Sequence, residues 1–215
     1  MENKDISQLR KSYDKNKLNV RDINSQPMEF FKSWFQDALK NKNIEEANAM
    51  TLTTLGLDKF PKGRVVLLKS FTEEGFIFFT NYESEKGVSI DYHSKVGLSF
   101  FWPPLERQII IKGEIEKISP EDSDDYFSSR PKGSQISALI SEQSKVIKSR
   151  EILEQKMDMM EKKYSGKEIK RPDNWGGYLV KPKSFEFWQG RPNRLHDRIL
   201  CTLLKNSWDI KRLSP

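Results

Sequence analysis

Three segments of this 215-residue chain concentrate side chains that can grip an anion or move a proton. Trp188-Gln189-Gly190-Arg191-Pro192-Asn193-Arg194-Leu195-His196-Asp197-Arg198 puts three arginines and one of the chain's two histidines behind an aromatic run. Guanidinium forks take phosphate bidentately, and a histidine near its neutral pKa can hydrogen-bond or exchange a proton with a substrate. A surface loop with local Asp–Arg pairing would have the same composition. Arg64-Val-Val-Leu-Leu-Lys69 sets a cation at each end of an aliphatic strand. Positions 64 and 69 differ in parity, so a flat strand sends them to opposite faces. They can serve one ligand only through its different parts, or with a bulge between them. In Tyr126-Phe-Ser-Ser-Arg130-Pro-Lys-Gly-Ser134, residues 126 and 130 share a helix face and the turn can return Ser134 toward them. Such a cluster could close round a phosphate monoester, although a helix end with a polar loop is the plainer account.

The elements that must hold these segments are mostly strands. After a polar stretch over residues 1–24, expected to be flexible, Pro27 opens a helix with Phe31, Trp34, Phe35, Ala38 and Leu39 on one face. Strand patterns follow over 49–55, 64–70, 76–81, 96–102 and 108–118, joined by turns rich in Gly and Pro. Ser84 can cap a short helix running to His93, with Gly87 weakening it. Ser119-Pro120-Glu121-Asp122 reads as a helix start, and residues 134–163 as helical, with Leu153, Met157 and Met160 as a packing stripe. Strand-like runs close the chain at 175–180, 184–188, 199–204 and 208–213. Many short strands with few alternating helices predict a mainly β fold, an antiparallel barrel with peripheral helices, in one domain over 25–215.

Composition narrows the chemistry. One cysteine, Cys201, excludes an internal disulfide, and no metal-ligand spacing surrounds His93 or His196. No apolar run approaches the length of a membrane span, and the start shows no secretory h-region, so the chain reads as a soluble cytoplasmic protein. The net charge of +6 invites an anionic partner. Nucleic acid is disfavoured because no reader motif is present. Neither G-x-G-x-x-G nor G-x-x-x-x-G-K-[ST] occurs, so any phosphate is expected to be held by side chains.

Arg64-x-Val-Leu-Leu-Lys69, Phe79-Thr80-Asn81, Leu105-Glu106-Arg107-Gln108, Ser129-Arg130-Pro131, Ser134-Gln135, Gln143-Ser144, Trp175-Gly176-Gly177, Phe187-Trp188-Gln189-Gly190 and Arg194-Leu195-His196-Asp197-Arg198 occur in that sequence, and Arg212-Leu213-x-Pro215 ends the chain. This ordered set resembles the pyridoxine/pyridoxamine 5′-phosphate oxidase family from about Leu9 to Pro215. The resemblance implies an FMN-binding split β-barrel of Greek-key antiparallel strands, working as a homodimer with FMN held across the subunit interface. It implies oxidation of pyridoxamine or pyridoxine 5′-phosphate by O2, with a hydride passing from C4′ to flavin N5. Carried over position by position, FMN would be bound by Arg64, Val65, Val66, Leu67, Leu68, Lys69, Phe79, Thr80, Lys86, Gln108, Gln143, Ser144, Trp188 and Arg198. The substrate would be held by Lys69, Tyr126, Arg130 and Ser134, with Arg194, Leu195 and His196 at its ring. Arg194 and His196 are the catalytic candidates, and Arg10, Lys11, Ser12 and Tyr13 match a segment that can fold over the substrate.

Two positions depart from the pattern. Glu85 stands where the family usually has an arginine, which removes one expected FMN-phosphate contact and predicts weaker FMN retention. Ser12 replaces an acidic residue. A flavin reductase on the same barrel, or a non-enzymatic binder of FMN, pyridoxal phosphate or nucleic acid, are the competing readings. The two clusters that could hold a phosphorylated ring argue against the first, and salt-dependent retention on DNA without flavin would favour the last form of the second.

Overall fold

The computed structural model describes residues 5–24 and 26–215. Residues 1–4, the start of the expected flexible segment, lie outside the described residues. The chain forms nine strands and five α-helices among the described residues: α1 (Pro27–Lys40), β1 (Ala49–Leu55), β2 (Pro61–Leu67), β3 (Ser70–Thr72), β4 (Gly75–Asn81), α2 (Glu85–Tyr92), β5 (Lys95–Trp102), β6 (Arg107–Lys117), α3 (Pro120–Ser129), α4 (Lys132–Ile140), α5 (Glu151–Lys163), β7 (Trp175–Gln189), β8 (Asp197–Leu204) and β9 (Ser207–Leu213). Strand order is β2-β1-β5-β6-β7-β4-β3, with β8 beside β7 and β9 beside β8. The pairings β1–β2, β3–β4, β4–β7, β7–β8 and β8–β9 are all antiparallel.

Two compact units emerge, one of residues 1–47, 99–111 and 183–215, the other of residues 48–98 and 112–182. In the first, the aromatic face of α1 buries Phe31, Trp34 and Phe35, as its 3.6-residue spacing requires. Phe187 of β7 meets Trp34 edge-on at 5.5 Å between centroids. Leu18 and Ile23, ahead of α1, are also buried. In the second unit, Phe127, Ile136, Ile169 and Trp175 form a core against which Met157 and Met160 of α5 pack. The methionine stripe is therefore packing material, as its spacing suggests.

Three local readings change. Residues 134–163 are not one helical region: α4 ends at Ile140 and α5 starts at Glu151. The serines at 141 and 144 disfavour helix, and Ser144 has φ of 75°, outside any right-handed helix. The two strand-like runs at 175–180 and 184–188 are one 15-residue strand that continues through Pro182. Gly87 does not weaken α2 but permits it. A Cβ there would stand 1.9 Å from the Tyr82 carbonyl oxygen, so only glycine lets the helix lie so close to that backbone. Ser84 caps α2 by accepting the Gly87 N–H, and this first turn places Lys86.

Candidate functional site

The site in the second unit begins with the end of β2. Its ladder with β1 sets Leu52 opposite Arg64 and Ala49 opposite Leu67. Past Leu67 the chain changes partner: the Leu68 N–H still bonds Asn48 O, whereas the Lys69 N–H bonds Ile77 O of β4. That break resolves the parity conflict, because Arg64 and Lys69 now line the same cavity. The cavity has a volume of about 510 Å³ and is also lined by Val65, Val66, Leu67, Phe79, Thr80, Lys86, Tyr126, Arg130, Ser134, Gln143 and Trp175. Leu68 is buried behind this wall.

One end of the cavity lining is cationic and poorly compensated. Arg64 Nη1 donates to Thr54 Oγ1 at 2.7 Å and to Leu52 O, but its Nη2 is buried without a hydrogen-bond partner. Burial lowers the Arg64 pKa, against the raising effect of Glu85. The Lys86 ammonium is buried and donates to Thr80 Oγ1 at 3.3 Å and Ser84 Oγ at 3.2 Å. Desolvation, with the positive charge of Arg64, pulls its pKa down to about 8. The Thr80 hydroxyl donates to Gln143 Oε1 at 3.3 Å, which ties the loop after α4 to this group. Gln143 and Ser144 also face a neighbouring cavity of about 400 Å³ beside Glu85. Glu85 itself is engaged: both its oxygens receive the Lys62 ammonium, at 2.6 and 2.7 Å.

The other set combines a cation with flat aromatic rings. Tyr126 of α3 stacks on Phe79 of β4 with centroids 3.8 Å apart, and Phe79 stacks on Trp175 at 5.6 Å. The Arg130 guanidinium lies over Trp175, 4.4 Å from its centroid. Its Nη1 is buried without a hydrogen-bond partner, and burial lowers its pKa. Ser134 sits in the first turn of α4, where helix dipole and hydroxyl both favour an anion. Tyr126 near the end of α3, Arg130 at its extended C-cap and Ser134 in the first turn of α4 thus meet at one cavity across the break between the two helices. Trp175 was not among the candidates; its partners Phe79 and Tyr126 are remote in sequence, so no spacing rule connects them.

The first unit holds a separate cluster. The His196 ring lies 4.7 Å from Trp188 and 5.8 Å from Tyr13, centroid to centroid. The Arg191 N–H donates to His196 Nδ1 at 3.1 Å, which fixes the neutral ring with its proton on Nε2. Burial, then the Arg194 charge, lowers the His196 pKa. Arg194 and Leu195 are exposed; Arg194 has φ of 62°, and its side chain makes no ion pair or hydrogen bond among the described residues. Arg198 is already occupied, with Nε on Glu186 at 2.8 Å and Nη1 on Ser214 O. Gln108 lies at the start of β6 and is partly buried. Arg10 and Ser12 are exposed, while Lys11 and Tyr13 approach Glu106 and Trp188.

No group of three or more His, Cys, Asp or Glu side chains forms a metal site among the described residues. Burial pushes the Cys201 thiol up to about 12, so it is an inert core residue. No described helix is long and apolar enough to cross a membrane.

Comparison with known proteins matches residues 35–164 to the family model described as pyridoxamine 5′-phosphate oxidase. Residues 175–215 match the pyridoxine 5′-phosphate oxidase C-terminal dimerisation region. Pyridoxine/pyridoxamine 5′-phosphate oxidase of Flavobacterium psychrophilum is 56% identical, over 99% of this chain and 100% of its own. That of Christiangramia forsetii is 54% identical, over 99% of both. Among solved structures, PhzG of Burkholderia lata 383, in complex with tetrahydrophenazine-1-carboxylic acid, superposes with a TM-score of 0.88 at 26% identity, covering 95% of this chain and all of that one. A pyridoxamine 5′-phosphate oxidase-related, FMN-binding protein of Nostoc punctiforme shares the fold, with a TM-score of 0.67 at 16% identity over 86% of this chain and 97% of that one. The antiparallel split-barrel architecture expected from the sequence is the fold these structures share. With one family model spanning well over half its length and relatives above 50% identity along almost all of it, this chain belongs to the pyridoxamine 5′-phosphate oxidase family.

Proposed function

We propose that this chain oxidises pyridoxamine or pyridoxine 5′-phosphate to pyridoxal 5′-phosphate, using FMN and O2. The observation that carries the reading is one cavity with two groups of buried, uncompensated cation. Arg64 and Lys86 form one, and Arg130 with Ser134 the other, and the stacked rings of Phe79, Tyr126 and Trp175 line the same cavity. A buried guanidinium nitrogen without a partner is costly unless a ligand completes it. Two phosphorylated, planar molecules, FMN and substrate, would do so, and the donor set of guanidinium, ammonium and hydroxyls suits phosphate. FMN, when bound, would supply a two-electron acceptor that O2 can reoxidise.

Each residue then has a role in the bound state. Arg64 and Lys86, with Thr80, Gln143 and Ser144, hold the flavin phosphate. Lys69, Tyr126, Arg130 and Ser134 hold the substrate phosphate. Arg194 and His196 orient C4′: the exposed Arg194 guanidinium is a donor only, and the neutral His196 offers Nε2–H rather than a strong base. For the amine, the net reaction takes O2 and water and gives the aldehyde, ammonia and H2O2. For the alcohol, O2 alone gives the aldehyde and H2O2. The working form is a homodimer in which FMN is shared between subunits, in keeping with the match to a dimerisation region.

The test is to add pyridoxamine 5′-phosphate anaerobically to FMN-loaded protein and follow the flavin's visible band. Bleaching that air reverses, with H2O2 released, is the expected result. A bound flavin that stays yellow would overturn the oxidase and leave a reductase or a carrier.

A further inference from the structure

Glu106 is a residue whose local surroundings argue against it. It follows a short 3-10 turn with φ of 56° and ψ of 38°, a left-handed conformation that glycine or asparagine adopts more readily. Its side chain is fully buried, so the carboxylate has lost its water. Both penalties need something only a carboxylate supplies. Oε2 accepts the Asp14 N–H at 3.0 Å and the Lys15 N–H at 3.2 Å. Oε1 lies 3.4 Å from Lys11 Nζ, close enough for an ion pair though not aligned as a hydrogen bond. The backbone carbonyl of Glu106 meanwhile accepts the Gly190 N–H at 2.7 Å and Gln189 Nε2 at 3.1 Å. One residue therefore joins the N-terminal segment to the strand end that carries Trp188.

Between those two attachments sits Tyr13. Its ring meets Trp188 edge-on, with centroids 5.7 Å apart, and lies 5.8 Å from that of His196. It presses so closely on Gly190 that a Cβ there would come within 2.8 Å of it. Downstream, the segment has independent anchors: the Leu18 N–H bonds Asp197 Oδ2 at 3.0 Å, and Arg212 Nη2 donates to Leu18 O at 2.8 Å. Lys15 Nζ also donates to Pro104 O and Arg191 Nη1 to Asn16 O, so loss of the Glu106 carboxylate would leave Leu18 in place and loosen, rather than release outright, the chain ahead of it, Tyr13 included.

We infer that Glu106 is a positioning residue for the reaction, anchoring residues 11–15 so that Tyr13 covers Trp188 and His196. The inference rests on the oxidase reading for its effect on substrate, but not for the anchoring itself. The role predicts a change in substrate affinity with little change in FMN binding.

Trypsin reads the anchor directly, because Lys11 and Lys15 lie within the held segment. In full-length, FMN-loaded Glu106→Ala, cleavage after Lys15 under native conditions is expected to be at least ~10-fold faster than in the parent, since the site must be released to enter a protease. KM for pyridoxamine 5′-phosphate is expected to rise about tenfold, with kcat changed less and FMN affinity within about twofold. Glu106→Gln keeps the volume and one acceptor for the two N–H groups, loses the pairing with Lys11, and should fall between; it carries the test if the alanine variant does not fold. Tyr13→Ala should reproduce the KM rise without exposing Lys15. Unchanged cleavage in both Glu106 variants would overturn the anchor. Faster cleavage with unchanged KM would overturn the role in the reaction. A parent protein that never bleaches with substrate would instead sink the oxidase reading, while the cleavage comparison still decides the anchor.

Discussion

The cavity lined by Arg64, Lys86 and Arg130 and the cluster around His196 are both rich in cations, yet their electrostatics are opposite. Among the described residues, Arg64, Lys69, Lys86 and Arg130 have no ion pair, and two of their guanidinium nitrogens are buried without partners. Around His196 the cations other than Arg194 are matched: Arg212 pairs with Asp197 at 2.6 Å, Arg191 with the same carboxylate at 3.8 Å, and Arg198 with Glu186 at 2.8 Å. The first arrangement is electrostatically incomplete until an anion arrives, whereas the second is complete and holds backbone and rings in place. Composition does not separate them. What separates them is whether a carboxylate reaches each guanidinium.

The sharpest way to break this comparison is to remove one cation from each region. Arg130→Met should weaken binding of pyridoxamine 5′-phosphate about 30-fold or more, the scale of a lost charge-assisted contact worth ~2–5 kcal/mol. FMN affinity should be nearly unchanged, and the melting temperature of the flavin-free protein should hold or rise, because a buried cation without a counter-charge has gone. Arg212→Met should do the reverse. Asp197 loses its nearest partner and Leu18 O its donor, so the flavin-free protein should melt several degrees lower with the substrate constant little changed. If both variants lower stability alike, the distinction between incomplete and complete sites is wrong.

Arg194 is the exception within the paired cluster, and it offers the next largest effect. Its free, exposed guanidinium has no structural partner to lose. Arg194→Ala should therefore reduce turnover roughly 100-fold, within the range for positioned groups at a reacting centre, with FMN binding and melting temperature unchanged. Full turnover in this variant would remove Arg194 from the chemistry.

Much of this was legible in the sequence where the signal is local. The close spacing of Tyr126, Arg130 and Ser134 groups them, although a helix break at Arg130 and the start of α4, rather than one helix face and a turn, is what sets their placement; cations at 64 and 69 flank an aliphatic run. All of these residues line the cavity. What spacing could not give is any relation closed through tertiary pairing. The exchange of strand partners between Leu68 and Lys69 depends on Asn48 and Ile77. The ring stack joins positions 79, 126 and 175, and the role of Glu106 depends on backbone N–H groups some 90 residues away. A buried carboxylate serving main-chain donors looks, in sequence, like any surface glutamate.

The pH dependence of FMN binding sharpens the picture of the incomplete site. Lys86 titrates at about 8 in the flavin-free protein, against 10.5 when exposed. A bound phosphate favours the charged amine, so FMN affinity should be level just below pH 8 and fall above it, by up to about tenfold per pH unit. Over the same window the unfolded chain binds more protons than the folded one, so this group makes the flavin-free protein more stable as pH rises from about 8 toward 10.5. Affinity and stability thus move in opposite directions. In Lys86→Met the affinity is lower throughout and its fall above pH 8 is lost, while the variant's stability relative to the parent falls as pH rises through this window because the Lys86 contribution is missing. Titrations of FMN fluorescence and thermal melts of both proteins at pH 7, 8 and 9 would check this.

The smallest expected effect lies at Glu85, whose carboxylate opposes the lowering of the Arg64 and Lys86 pKa values. Sequence alone places an uncompensated anion beside the flavin phosphate, but Lys62 holds both its oxygens, and the pair is about half exposed. A pair so open to water is worth ~0–1 kcal/mol, which limits the penalty on FMN to a few-fold. Glu85→Arg should tighten FMN about three- to tenfold, while Lys62→Ala should loosen it by a similar or smaller factor by leaving Glu85 unopposed. Riboflavin, which lacks the phosphate, should bind all three proteins alike. If Glu85→Arg leaves FMN affinity where it was, Lys62 already cancels the glutamate, and the charge offered to the flavin phosphate is set by Arg64 and Lys86 alone.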